Sequence, residues 1–230
     1  MAIIAAMREN IMKLVIANKN YSSWSLRPWL LMTEFGLDFE LKEESLAGDD
    51  LKERLRQYSP SCKVPVLIDG DLTIWDSLAI CEYVSERYLG GEGWPTAVDS
   101  RAHARAICAE MHSGFMALRS QMPMNIRARR AITPSGVMLA DVRRIDAIWS
   151  DCRREYAENG DWLFGKFSIA DCMYAPVALR FMTYGAELAE TGQQYMDSVL
   201  DHPGVKVWME AAARETEIIP QDEAGEDRPA

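Results

Sequence analysis

The stretch 59-SPSCKVPVLIDGDLTIWDSLAICEYVSERY-88 carries three structural signals in one run. VPVLI (64–68) reads as a β-strand and LTIW (72–75) as its hairpin partner, with Asp69-Gly70-Asp71 as the tight turn between them. Residues 76–88 then read as a helix opened by Asp76-Ser77, two residue types favoured at helix N-termini. Working upstream, KLVIA (13–17) is a short strand. Large apolar residues crowd a helix from about Trp24 to Phe35, and Gly36 is its stop signal. DFELKEESL (38–46) alternates as a second strand, and residues 49–58 form a short amphipathic helix. The order β-α-β-α-β-β-α describes a compact α/β unit over residues 12–89.

Downstream the character changes. GGEGWPT (90–96) is a Gly/Pro break, so residues 90–97 are read as a linker. Helical patterns follow over 98–121, 135–158, 168–185, 190–200 and 203–216, without a convincing strand. The second unit, residues 98–217, is therefore expected to be all-helical. Residues 218–230 form an acidic, polar tail expected to fray.

The chain has 230 residues and a formal net charge of −10. That balance opposes binding to a nucleic-acid backbone, which needs a basic surface. Arg127, Arg129 and Arg130 run against it and read as a solvated helix end rather than an anion site. No apolar run approaches the ~20 residues that span a bilayer. The start lacks a signal-like cleavage site, and the five cysteines are scattered without a CxxC pair. With three histidines in all, a metal site is not expected, and the cysteine usage points to a reducing cytoplasm.

Three places carry chemistry. Val64-Pro65 by itself reads as an ordinary trans proline at a strand edge; a cis bond would leave the Val64 backbone free to pair with an extended peptide. Asp76-Ser77 caps a helix, and the same N-terminus suits the carboxylate and ammonium ends of an amino acid. In YSSWSLRPWL (21–30), a serine hydroxyl at a helix start either caps that helix or donates to a thiolate. No G-x-S-x-G motif or triad spacing marks a serine nucleophile.

SSWSLR, KVPVL and DSLAICEYV occur in the order and at the spacing of the cytosolic glutathione transferases, and the chain resembles that family over residues 12–215. SSWSLR is similar to the serine-type classes, the zeta class (maleylacetoacetate isomerase-like) most of all. FSIADCMYAPVAL resembles the family's capping-box and buried-aspartate motif, in which Ser168 and Asp171 are structural. The resemblance implies an N-terminal thioredoxin-like domain with a mixed four-stranded sheet, followed by an all-helical domain. It implies glutathione as co-substrate, no metal, and a homodimer. Residues 1–11 precede the family's usual start and are read as an N-terminal extension.

Carried over to this sequence, the resemblance gives Val64, beside a cis-Pro65, the backbone of glutathione's cysteine. Asp76 and Ser77 take the γ-glutamyl end and Lys63 the glycyl carboxylate. Counting back from Gly36 without gaps makes Ser22 the catalytic serine, with Ser23 second and Tyr21 a rival. Trp24 stands where the zeta pattern has a cysteine, which removes any cysteine-mediated step there. The implied activity is activation of the glutathione thiol for attack on a small electrophile. Isomerisation, dehalogenation and peroxide reduction use the same thiol, and a non-catalytic member is the other alternative. The second-substrate pocket is expected between the domains, with Trp24, Met111, Phe115 and Arg180 as candidate lining. Taken singly, Met111, Phe115, Met116 and Met122 read as core packing ahead of pocket lining. Arg180 reads as an anion contact or half of a buried ion pair.

Overall fold

The computed structural model describes residues 11–228. β1 (Met12–Ala17) is buried at all but one position, which explains its unbroken apolar sequence. It pairs in parallel with β2 (Phe39–Glu44), Leu14 opposite Leu41, and the parallel return runs through α1 (Ser23–Glu34). Gly36 leaves α1 with φ of 64°, a left-handed turn that glycine enters without a Cβ penalty. After α2 (Leu51–Arg56), the hairpin β3 (Val66–Asp69) and β4 (Leu72–Trp75) joins antiparallel to β1. The sheet order is β2-β1-β3-β4, and α3 (Ser77–Tyr88) follows the hairpin. This is the thioredoxin-like topology expected from the sequence.

The helical half contains α4 (Val98–Ser113), α5 (Met116–Gln121), α6 (Gly136–Tyr156), α7 (Ile169–Tyr184), α8 (Glu190–Asp201) and α9 (Pro203–Arg214). α7 is its axis, buried along almost its whole length and packed on α1 of the first unit. Trp149 wedges between Tyr174, Phe181 and Tyr195, with ring centroids 6.1, 5.4 and 4.9 Å away. The two halves share one apolar core, reinforced by Trp29 against Trp208 at 4.9 Å. At the start of α7, the Asp171 carboxylate accepts from the Leu163 and Ser168 backbone N–H groups and from the Ser168 and Tyr195 hydroxyls. Ser168 and Asp171 are thus bound into the fold.

Several expectations are corrected. The helix expected over 98–121 breaks at Gly114-Phe115, where Phe115 takes φ of 59° and turns its ring into the core. The helical half also holds one short β-pairing, β5 (Arg130–Ala131) with β6 (Glu226–Asp227). The tail does not fray up to Arg228. Glu223 pairs with Arg130 at 2.5 Å, Asp227 pairs with Arg130 at 2.8 Å, and Ile219 is buried. Arg127, Arg129 and Arg130 lie in the segment after α5, not at a helix end. Arg127 donates to the Glu215 and Glu217 carbonyls, fastening the tail. Of the extension expected at 1–11, residues 1–10 lie outside the described residues. No described helix is long and apolar enough to cross a membrane.

Candidate active site

Two clefts meet around Trp24, at the N-terminus of α1. The first, about 380 Å³, is lined from one half by Ser22, Ser23 and Val64 and from the other by Arg119, Met124 and Arg180. The second, about 560 Å³, is lined by Lys63, Val64, Pro65, Asp76, Ser77 and His112. Trp24, Lys63 and Val64 border both. The topology explains the convergence. The segment leaving β1, the segment entering the antiparallel β3 and the segment leaving β4 lie at the same end of the sheet, and residues of α4, α5 and α7 border the clefts there.

Ser22 holds the N-cap position of α1, yet its side chain makes no capping bond. Its Oγ lies 2.7 Å from Ser25 Oγ, and either oxygen can donate. The surroundings decide the direction. Ser25 is fully buried, and its oxygen already accepts the Ala17 N–H at 3.2 Å. A buried hydroxyl hydrogen needs an acceptor, and Ser22 is the one that Ser25 has. Of the pair, only Ser22 lines the cleft, and with Ser25 as the donor the Ser22 hydrogen is available there. Ser23 is arranged alike, since its oxygen accepts from Arg180 Nη2 at 3.1 Å. Tyr21 also borders the first cleft, but its hydroxyl is taken: it lies 2.5 Å from Glu223 Oε1 and accepts from Arg127. Burial first, then the Glu223 contact, raises its pKa.

The Val64-Pro65 bond is cis. This corrects the dipeptide's own reading, in which nothing local distinguishes it from a trans edge proline, and matches what the resemblance implied. Asp76 sits at φ of 78° and caps α3 through Oδ1, which accepts from Leu78 and Ala79 N–H at 2.9 and 3.2 Å. Its Oδ2 lies 3.0 Å from His112 Nε2. Ser77 is fully buried and accepts from Arg27 Nη1 at 3.4 Å. Lys63 is exposed at the mouth of both clefts.

Met111 and Phe115 do not line either cleft; both are packed into the core, and Met116 is exposed. Helical spacing marks a face but not what lies opposite it, and here the near-helical run is interrupted at Phe115. Met124 takes the place those residues were expected to fill. Arg180 does line the first cleft. It donates to the Met122 carbonyl and to Ser23, and among the described residues no carboxylate pairs with it. Burial, with the like charge of Arg119, pushes its pKa down to about 10. Arg119 is also lowered by burial. The first cleft is thus locally cationic in a chain of net charge −10.

The family model for the glutathione S-transferase N-terminal domain matches residues 21–87, and that for the C-terminal domain matches residues 101–211. The chain belongs to the glutathione S-transferase family. A probable maleylacetoacetate isomerase of Caenorhabditis elegans is 34% identical over 158 residues, which is 66% of this chain and 73% of that one. A stringent starvation protein A homologue of Haemophilus ducreyi is 21% identical over 189 residues, 82% of this chain and 83% of its own. Among solved structures, a glutathione transferase homologue from Burkholderia with bound glutathione superposes with a TM-score of 0.67. Its identity is 22%, with 88% of this chain and 98% of that one covered.

In this member of the family, sequence reasoning missed Ser25, Arg27, His112 and Arg119. Arg27 left the one usable signal: it stands inside the apolar run of a helix, where a charge is costly unless it has a task. The other three left none. Among the described residues, no group of three or more His, Cys, Asp or Glu side chains gathers as a metal site. Cys81, Cys108, Cys152 and Cys172 are buried, and burial pushes their thiols up, away from reactivity.

Proposed function

We propose that the protein is a glutathione transferase that activates the glutathione thiol through the Ser22 hydroxyl. The observation that carries this reading is the Ser22 hydroxyl at the start of α1, bonded only to Ser25 and beside the shared border of the two clefts. Family membership supports glutathione as the co-substrate. In this reading Val64 pairs with the cysteinyl backbone, Asp76 and Ser77 hold the γ-glutamyl end, and Lys63 faces the glycyl carboxylate. The thiol proton leaves to solvent. The thiolate is held by the Ser22 hydroxyl and the partial positive charge of the α1 N-terminus. It attacks an electrophilic carbon, forming a C–S bond as a leaving group departs or as the adjacent atom takes a proton. Ser23 is the alternative donor. Homodimeric assembly and a cytoplasmic location belong to the same reading, on the family's usual pattern.

A second reading is favoured by Arg119 and Arg180, two cations on the first cleft without a carboxylate bonded to them. They suit an electrophile that carries a carboxylate, such as a haloacid or an unsaturated keto acid undergoing cis–trans isomerisation. The similarity to a probable maleylacetoacetate isomerase agrees with it. A non-catalytic binding role is the remaining alternative.

The test is a glutathione-dependent panel of aryl halides, haloacids, hydroperoxides and a cis–trans isomerisation substrate, run on the wild type and Ser22→Ala. We expect the variant to retain glutathione binding and lose about 100-fold or more in turnover. Unchanged turnover moves the role to Ser23. Binding without turnover across the whole panel selects the non-catalytic reading.

A further inference from the structure

Arg27 is a fully buried charge with no carboxylate bonded to it among the described residues. Its side chain is fully enclosed between the Trp24 ring, 4.2 Å from the guanidinium carbon, and Ser77. A guanidinium has five N–H donors. Here one donates to Ser77 Oγ at 3.4 Å, while Nε is enclosed with no partner at all. No carboxylate among the described residues pairs with it, and its charged neighbours are the like-signed Arg119 and Arg180. Burial and those two charges push its pKa down to about 9. For stability alone an apolar side chain of the same length serves better there, because an unpaired buried charge is strongly unfavourable. The residue calls for a counter-charge that the free protein does not supply.

Ser77 shows where that counter-charge arrives. It is the first residue of α3, a helix of 12 residues, and it lines the second cleft beside Asp76, Val64 and Pro65. Its oxygen is occupied by the Arg27 donor, so its own hydrogen points away from Arg27. An anion at the α3 N-terminus would accept that hydrogen and the Ser77 N–H, since Asp76 already takes those of Leu78 and Ala79. We infer that Arg27 is a positioning residue for a carboxylate: it orients the Ser77 hydroxyl outward, and the α-carboxylate of glutathione's γ-glutamyl end neutralises the buried guanidinium through that hydroxyl. This rests on the glutathione reading above. Arg27 touches no ligand itself and acts through Ser77. Ligand binding and the buried charge are then coupled. Removing the charge stabilises the free protein and weakens glutathione binding, two effects of opposite sign that a merely structural arginine does not produce.

The experiment is a double cycle on ligand and protein. Calorimetric affinities are measured for glutathione and for 4-aminobutyryl-cysteinyl-glycine, the same tripeptide without the γ-glutamyl carboxylate, on the wild type and Arg27→Met. The wild type is expected to prefer glutathione, and Arg27→Met to show that preference reduced by about tenfold, the weight of one charge-assisted contact. The free Arg27→Met protein should melt at or above the wild-type temperature. Arg27→Gln keeps a donor to Ser77 without the charge, decides the matter if the methionine variant does not fold, and should lose the same preference. A preference equal to wild type in the folded variants overturns the inference while leaving the glutathione reading intact. Failure of the wild type to bind glutathione overturns both.

Discussion

At the scale of single residues, the serines of YSSWSLRPWL divide one task. Ser22 faces the cleft, Ser23 accepts from Arg180, and Ser25 lies behind Ser22 with its oxygen held by the Ala17 N–H. A hydroxyl that accepts one hydrogen bond becomes a better donor of its own. Ser25→Ala should therefore raise the pKa of the bound glutathione thiol by about 0.5 units, with about a threefold loss of turnover at neutral pH that recovers in alkali. Ser25→Thr keeps the hydroxyl and should behave as wild type. Thiolate absorbance of the glutathione complex against pH reads this directly, and an unshifted curve for Ser25→Ala removes the relay. The sequence made Ser22, Ser23, Asp76 and Ser77 legible because each sits at a strand-to-helix junction with a recognisable local signal, and Val64 because a proline follows it at the start of a strand. It did not make Met111 or Phe115 legible. An apolar side chain carries no mark of whether it faces a neighbouring helix or a cleft, and only packing settles that. Arg119 was silent for a related reason: it lies on α5, whose separation from α4 depends on one left-handed residue, Phe115.

At the scale of elements, the hairpin, its turn and the flanking helices were legible because period and turn chemistry agree along the chain. The start of α7 shows what such agreement costs. Asp171 is fully enclosed, and burial raises its carboxyl pKa to about 6 against the pull of four donors. A folded pKa above the unfolded value means that this group's contribution is fully present below about pH 4. It is lost as pH rises through about 6. Asp171→Asn does not titrate, and its amide NH₂ faces groups that are themselves donors, so it should cost about 2–4 kcal/mol at neutral pH. Between pH 7.5 and pH 5 the wild type should gain on the variant by about 1 kcal/mol. Urea unfolding of both proteins at the two pH values measures the gap. A gap that stays constant or narrows on acidification contradicts the assignment of the titration to Asp171.

At the scale of the whole molecule, the C-terminal tail ties the two halves together, and this was the part least visible in the sequence. Its acidic residues read as solvated because their partners lie far away in the chain. Glu223 meets Tyr21 and Arg130, and just before the tail Glu217 accepts from Asn18 and Ser45. Within the tail, Asp222 borders the first cleft together with Arg180, and burial raises its carboxyl pKa while Arg180 pulls it down. The tail is thus a strap and also a negative wall facing the cleft arginines. Deleting residues 218–230 removes the buried Ile219 and leaves Arg130 without its partners, so it should cost about 2–4 kcal/mol in urea unfolding. Asp222→Asn in the full chain separates the electrostatic part from that loss. With the opposing carboxylate gone, Arg180 and Arg119 attract an acid-bearing electrophile more strongly. Its KM should fall by about three- to tenfold, and less so in high salt. The KM of an uncharged aryl halide, which has no charge to sense the wall, should stay the same. An equal change for both electrophiles means that Asp222 acts on the shape of the cleft. A higher KM for the acid means that its carboxylate helps to hold Arg180 in place instead of competing for it.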